Sequence, residues 1–395
     1  MTLPARPTGP LAAAIGCAGL AAAMGIGRFA FTPLLPLMQA EQGLALSQGA
    51  WLAAANYLGY LVGAVASLLF APPPRLAARA GLAAVAITTL AMAGTSSYGA
   101  WLLLRGVAGA ASAWVLVGAS GWALAHLAAL GQGGRLGGFV FAGVGTGIVV
   151  AGLVCLLLGV HAAPGQVART GWLVLGAMAA VVVAATWAWW GRAPVVPAAA
   201  PQAAPPPGPA PVRLDASAWV LVAAYGLLGL GYIVPATFLP AAARALVADP
   251  SVFGWAWPVF GAAAAVSTVL VARIAPQSAP RLVAAAGEAV MAVGVILPLL
   301  HFSLATLVLS ALAVGGTFMV VTMAGLQEAR RLAALSHAAP TRLMSAMTAA
   351  FALGQLTGPL LVARDATPQQ ALLAPSAAAA GLLALAALAL WRTSR

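Results

Sequence analysis

GIGRFAFTPLLPLM, residues 25–38, places a single arginine inside a long apolar run. Apolar sequence leads up to Arg28 and resumes directly after it. A full charge in such a run needs a reason. Either the run is a membrane helix whose arginine faces protein or water, or it is the tail of a cleaved leader. The rest of the chain separates the two.

Of the 395 residues, 63% are hydrophobic and only 6% charged. A soluble domain carries roughly a quarter charged residues, so this chain has too few to cover a core in water. Disorder is excluded by the same composition, because disordered chains are poor in apolar residues and rich in charge. Apolar segments of bilayer-spanning length fall near 11–38, 47–71, 79–96, 98–125, 135–160 and 171–190. A second set falls near 217–243, 253–275, 281–300, 302–326, 342–363 and 371–391. Twelve segments make the first a retained helix, since a secretory leader is a single short apolar stretch. The joins at GTSSYG, after the third segment, and around His301, after the ninth, are the shortest.

The formal charge is +12, and all 18 basic residues are arginine. They stand singly between apolar segments, with no basic patch of the kind that binds nucleic acid. Their placement reads as topology. With the N-terminus inside, 13 arginines fall in inside loops or tails, and only Arg169, Arg244 and Arg364 fall outside. Arg28 and Arg105 remain within helices. That bias predicts both termini in the cytoplasm.

Residues 192–213, RAPVVPAAAPQAAPPPGPAPVR, are too rich in proline for a membrane helix and form a stiff, extended spacer. The domains expected are therefore 1–191, a six-helix bundle, 192–213, a cytoplasmic linker, and 214–395, a second six-helix bundle. GLGYIVPATFLP (229–240) aligns without a gap with GIGRFAFTPLLP (25–36), so the two halves repeat. The fold class expected is all-α integral membrane, with twelve transmembrane helices in two pseudo-symmetric six-helix bundles.

Ionisable residues inside a membrane are costly and default to a functional reading. Three stand out: Arg28, Arg105 and Glu288. For Arg28 three roles are open: contact with an anionic or carbonyl-bearing substrate, hydrogen bonding to carbonyls freed by a kink at Pro33 and Pro36, or snorkelling to the outer interface. Arg105 either snorkels or faces the pore. Glu288 reads as the only acid clearly inside a helix; it is a coupling-proton candidate or a partner for an inside arginine. Gln327 and Glu328 read as a solvated cap ending the tenth helix, with an electrostatic latch as the lesser option. Uncharged polar residues add a cavity lining: Asn56, Tyr57 and Tyr60 in one helix, Tyr232 at the position aligned with Arg28, and Gln355. Asn56 and Tyr60 are four apart, so they share a face that Gly63 continues. A helix–helix hydrogen bond is the competing role for each.

Tryptophans 51, 101, 172, 219 and 391 lie near segment ends, and 187, 189 and 190 at the end of the sixth, as interfacial anchors do. Trp255 and Trp257 sit near an outer end, with no ligand role required. FAGVGTGIVVAG (141–152) is a small-residue string for tight packing, not a nucleotide loop. Cys17 and Cys155 read as small buried hydrophobes, with no metal-ligand spacing and no disulfide framework.

GIGRFAFTPLLPLM, WLAAANYLGYLVG (51–63) and FALGQLTGPLL (351–361) together resemble the YbfB/YjiJ-like branch of the major facilitator superfamily, bacterial inner-membrane proteins. Arg105 to Gly109, RGVAG, is similar to the arginine motif of that superfamily's fourth helix. One departure is plain: FAPPPRLAARAG (70–81) carries Arg75 and Arg79 but lacks the acidic residue the family's loop usually holds. The resemblance implies two halves that rock about a midplane site. The function expected is proton-coupled efflux of a small drug or metabolite, with proton-coupled uptake of an organic anion as the alternative. No catalysis, metal or cofactor is expected. The partners expected are substrate, protons and membrane lipid, not nucleic acid, with a monomer as the family-level expectation. An integral-membrane enzyme, a channel and a receptor or scaffold are the weaker rivals. Against an enzyme, the four histidines lie singly at segment ends.

Overall fold

Inside lipid every backbone N–H and C=O must find a partner within the protein, which leaves helices as the way for apolar runs to fold. The computed structural model describes residues 7–161, 163, 165–192, 216–246, 254–336, 340–357 and 368–394. The first run is α1 (Gly9–Leu20), a π-helical stretch (Ala21–Ile26) and α2 (Phe31–Gln42). Next come α3 (Leu46–Phe70), α4 (Pro74–Ala93), α5 (Tyr98–Ala129), α6 (Gly133–His161) and α7 (Val167–Thr186). The C-terminal set is α8 (Ala216–Leu246), α9 (Ala256–Ile274), α10 (Pro280–Leu300), α11 (Leu304–Ser336), α12 (Pro340–Thr357) and α13 (Pro368–Arg392). Among the described residues, eleven of these helical runs are long and apolar enough to cross a membrane. The other, α12, is described to Thr357, and the rest of the 342–363 segment lies outside the described residues. Of the linker only Arg192 is described.

Both short joins hold. Helix α4 ends at Ala93 and α5 begins at Tyr98, while α10 ends at Leu300 and α11 begins at Leu304. The small-residue string of α6 packs on two sides. Gly147 lies against Gly25, so close that a Cβ on either would meet the other's backbone, and Gly145 lies against the Gly261 carbonyl of α9. Close approach of backbones at small residues is the usual means of helix association where lipid removes the hydrophobic drive. Helix α3 likewise packs on α5 through Gly59, Gly63 and Gly109, and meets α12 across the two sets.

The break in the first run is upstream of the expected kink. Gly27 N–H bonds to Ala22 O and Phe29 N–H to Met24 O, a wider turn than the α-helix allows. Pro33 then falls in the first turn of α2, where its missing N–H costs little. The aligned stretch in α8 is continuous helix.

Several end-of-segment tryptophans are not interfacial anchors. Trp51, Trp219 and Trp391 are exposed, as expected, but Trp101, Trp172, Trp190 and Trp257 are buried. Trp190 donates to Thr186 Oγ1 and packs edge-on against Trp122. In place of a charge lock, Arg79 donates to Trp187 O at 2.9 Å and lies over its ring.

Candidate functional site

The widened turn leaves carbonyls turned toward α5, and Arg105 takes them. Its Nη1 donates to Gly27 O at 3.0 Å and its Nη2 to Arg28 O at 3.2 Å, with the guanidinium over Phe31. Asn56 Nδ2 donates in turn to Arg105 O at 3.0 Å. Arg105 is 3% exposed, which excludes snorkelling. It performs the carbonyl-binding role that the sequence left open for Arg28.

Arg28 itself is 2% exposed, so it does not snorkel either. Its Nη2 donates to the side-chain oxygen of Gln355 on α12, linking the N- and C-terminal sets. Its guanidinium lies 3.9 Å from the centre of the Tyr60 ring, with Phe29, Tyr57 and Phe351 also within cation–π reach. Among the described residues, Nε and Nη1 of Arg28 and Nε2 of Gln355 have no hydrogen-bond partner, and no carboxylate pairs with this cation.

Beside it runs a file of rings. Phe351, Tyr232, Phe318, Phe260 and Trp257 stack in succession, with centroids 5.1 to 5.9 Å apart and interplanar angles of 23° or less. They come from α12, α8, α11 and α9. Phe29, the residue after Arg28, meets Tyr232, Trp257 and Phe318 edge-on from the other set. Five of the eight expected site residues thus surround one centre: Arg28, Tyr57, Tyr60, Tyr232 and Gln355. Asn56 and Arg105 stand behind it as fasteners. Sequence reading missed Phe29, Trp257, Phe260, Phe318 and Phe351, because an aromatic residue in an apolar helix gives no contrast.

Glu288 is elsewhere. It lies on α10, wholly buried, and among the described residues neither carboxylate oxygen has a hydrogen-bond or ion-pair partner. An ionised carboxylate left so would cost several kcal/mol, on the order of the penalty for any unpaired buried charge. It is not the only acid within a helix, since Glu41 is in α2 and Glu328 in α11. Glu41 accepts from the N–H groups of Val167 and Ala168, capping α7.

The expected solvated cap at Glu328 is also corrected. Helix α11 continues to Ser336, and Glu328 is fully buried. Its Oε1 lies 3.3 Å from Arg281 Nε, and Arg331 donates to both oxygens. Arg281 further donates to Ser217 and to Thr393 O, tying α10, α11, α8 and the end of α13 together. Glu328 is thus the centre of a buried ion-pair cluster within the C-terminal set. Next to it, Arg330 donates to Gly121 O on α5 at 3.2 Å, and Ser345 to Ser67 at 3.0 Å. The two sets are therefore bonded to each other on the face where α3, α5 and α11 end, as well as at Arg28.

No curated protein matches the chain. Residues 20–391 match the family described as "Uncharacterised MFS-type transporter YbfB". That match takes in α2 to α13, with the arginine centre, the ring file and the Glu328 ion-pair cluster inside it. A multi-spanning helical bundle matched over nearly its whole length is a membrane transporter of the major facilitator superfamily, and the chain belongs to that superfamily's YbfB-type family.

Proposed function

We propose that this chain is a secondary active transporter of small organic anions that carry a flat apolar body, and that it couples their movement to protons. The observation that supports this best is the Arg28 guanidinium, buried, two donors short of partners and without a carboxylate among the described residues. A carboxylate or sulfonate on the substrate would neutralise it through paired, charge-assisted hydrogen bonds. Gln355 would yield its place to that anion, and its free amide would add a donor. The apolar body would enter between Phe29 and the ring file, where aromatic surfaces favour a planar partner.

In this reading the twelve segments form two six-helix bundles, residues 1–191 and 214–395, joined by the 192–213 spacer and rocking about the arginine centre. Both termini are cytoplasmic, the membrane is the bacterial inner membrane, and the protein acts as a monomer. Glu288 carries the proton: its burial without a partner among the described residues suits the neutral acid, and exposure to water in another state would release the proton. A monoanion moving inward with one proton carries no net charge against an inside-negative potential, whereas outward movement of an anion needs no coupling. Uptake is therefore the direction in which a proton site is useful. Efflux of a lipophilic drug is the second reading, favoured by the ring file alone.

Proteoliposomes test these together. Benzenesulfonate is permanently charged, and benzenesulfonamide is its neutral match. With acid outside, the anion is expected to accumulate and a protonophore to abolish the accumulation, while the sulfonamide is not carried. Equal carriage of both compounds would sink the anion reading. Equal anion flux with and without the proton gradient, and no accumulation, would sink coupling.

A further inference from the structure

Arg281 and Glu288 are both buried and lie seven residues apart on one face of α10. The rise between them is about 10.5 Å. Helical side chains lean toward the N-terminus, which tips Glu288 toward Arg281. Residues 284–287, AAAG, place no side chain larger than a methyl group in the turn between them. An extended arginine and a glutamate together reach across that gap.

Charge is out of balance at Arg281. Arg331 alone satisfies Glu328, donating to Oε2 at 2.8 Å and to Oε1 at 2.9 Å. Arg281 approaches the same carboxylate through Nε, at 3.3 Å. Two guanidiniums thus share one carboxylate, and the buried Arg281 is not solvated as the exposed Arg331 is. Among the described residues Glu288 is the other acid of the C-terminal set, and it forms no ion pair.

The Arg281 head also holds the ends of two helices. Its Nη1 donates to Ser217 Oγ at 2.7 Å and to Thr393 O at 3.2 Å, and its Nη2 to Ser217 O at 3.1 Å. Ser217 lies in the first turn of α8, the helix that carries Tyr232 into the ring file, and Thr393 directly follows α13. The other ionisable groups on the elements packed against α10 are engaged elsewhere. From α11, Arg331 pairs with Glu328, and Arg330 turns to Gly121 O in the other set. From α8, Tyr225 and Tyr232 pack against Phe351. From α13, among the described residues, Arg392 is exposed.

We propose that Arg281 is a positioning residue for the proton step. When Glu288 gives its proton to water, Arg281 leaves Glu328 to Arg331, swings to the new carboxylate and lets go of Ser217 and Thr393. Each carboxylate then has its own guanidinium. The neutral acid keeps the ends of α8 and α13 tied, and the ionised acid frees them, so the proton governs the helix that bears Tyr232. This rests on the reading of Glu288 as the proton carrier.

Hydrogen–deuterium exchange of the detergent-purified full chain tests it in segments 217–224 and 386–394. Spectra are taken at about pH 6 and about pH 9, which bracket proton exchange by a buried carboxyl, and rates are corrected for the intrinsic effect of pH. In the parent both segments are expected to exchange about tenfold faster at the higher pH, the factor for losing one charge-assisted hydrogen bond. Glu288→Gln is expected to keep the slower rate at both, and Arg281→Met the faster. If Arg281→Met does not fold, Arg281→Met with Glu328→Leu removes the acid as well and serves in its place. A parent rate that ignores pH, or an acceleration that persists in Glu288→Gln, overturns the inference. If gradient-driven accumulation is nevertheless lost in Glu288→Gln, the coupling reading stands and only the switch fails; accumulation that survives there overturns both.

Discussion

Arg105 holds the backbone carbonyl of Arg28 at 3.2 Å, so one buried arginine fixes the place from which the other reaches Gln355. Two intramembrane cations of the same type therefore do different things. Arg105 fills the hydrogen-bonding gap left by the widened turn after Ala21. Arg28, presented by that turn, keeps donors that have no partner among the described residues.

The first consequence concerns stability. Arg105→Ala strips charged donors from two buried carbonyls, at a cost of about 3 kcal/mol or more. Arg105→Lys cannot span both carbonyls from one fork and should recover only part. Thermal unfolding in detergent measures this. An unchanged midpoint for Arg105→Ala would mean that the turn holds itself.

Glu328 supports a second prediction. Glu328→Gln leaves Arg281 buried with its charge unmatched, and breaking such a pair costs about 3–5 kcal/mol. Removing both partners, as Arg281→Met with Glu328→Leu, should recover much of that loss. The double-mutant cycle, read by thermal midpoints, checks it. Additive single effects would show that the two side chains do not act as a pair.

Much of this was legible in the sequence, and the limits have physical causes. Bilayer thickness writes helix length directly into apolar runs, so even the short joins at Gly94 and His301 were readable. Arg28, Tyr232 and Gln355 stand out because a polar residue in lipid-length sequence is expensive. Phe318 and Phe351 do not, since an aromatic ring costs nothing there whether it faces lipid or a ligand. Glu328 was misread because Arg330 and Arg331 follow it, which mimics a helix end; burial came from α10, distant in sequence. The division of labour between Arg28 and Arg105 depends on which carbonyls the break exposes, and no residue pattern records that.

Glu288 separates coupling from carriage. Glu288→Gln keeps the shape and removes the proton, and since the buried acid has no partner among the described residues, stability should change by less than about 1 kcal/mol. Anion exchange between equal pools should persist, while accumulation driven by a proton gradient should vanish. Gradient-driven accumulation that survives in Glu288→Gln would move the proton site elsewhere.

The most direct measurement concerns Arg28. Binding of aryl carboxylates and sulfonates, each beside its neutral amide, is measured by calorimetry on the parent and on Arg28→Gln, with unfolding recorded for both. The expected result is a folded variant and at least one anion that binds the parent and loses 10²-fold or more, of the order that removing a buried charged partner costs, while no amide discriminates. If amides bind as tightly as anions, or if the anions bind the variant as well as the parent, Arg28 is not the anion-binding group.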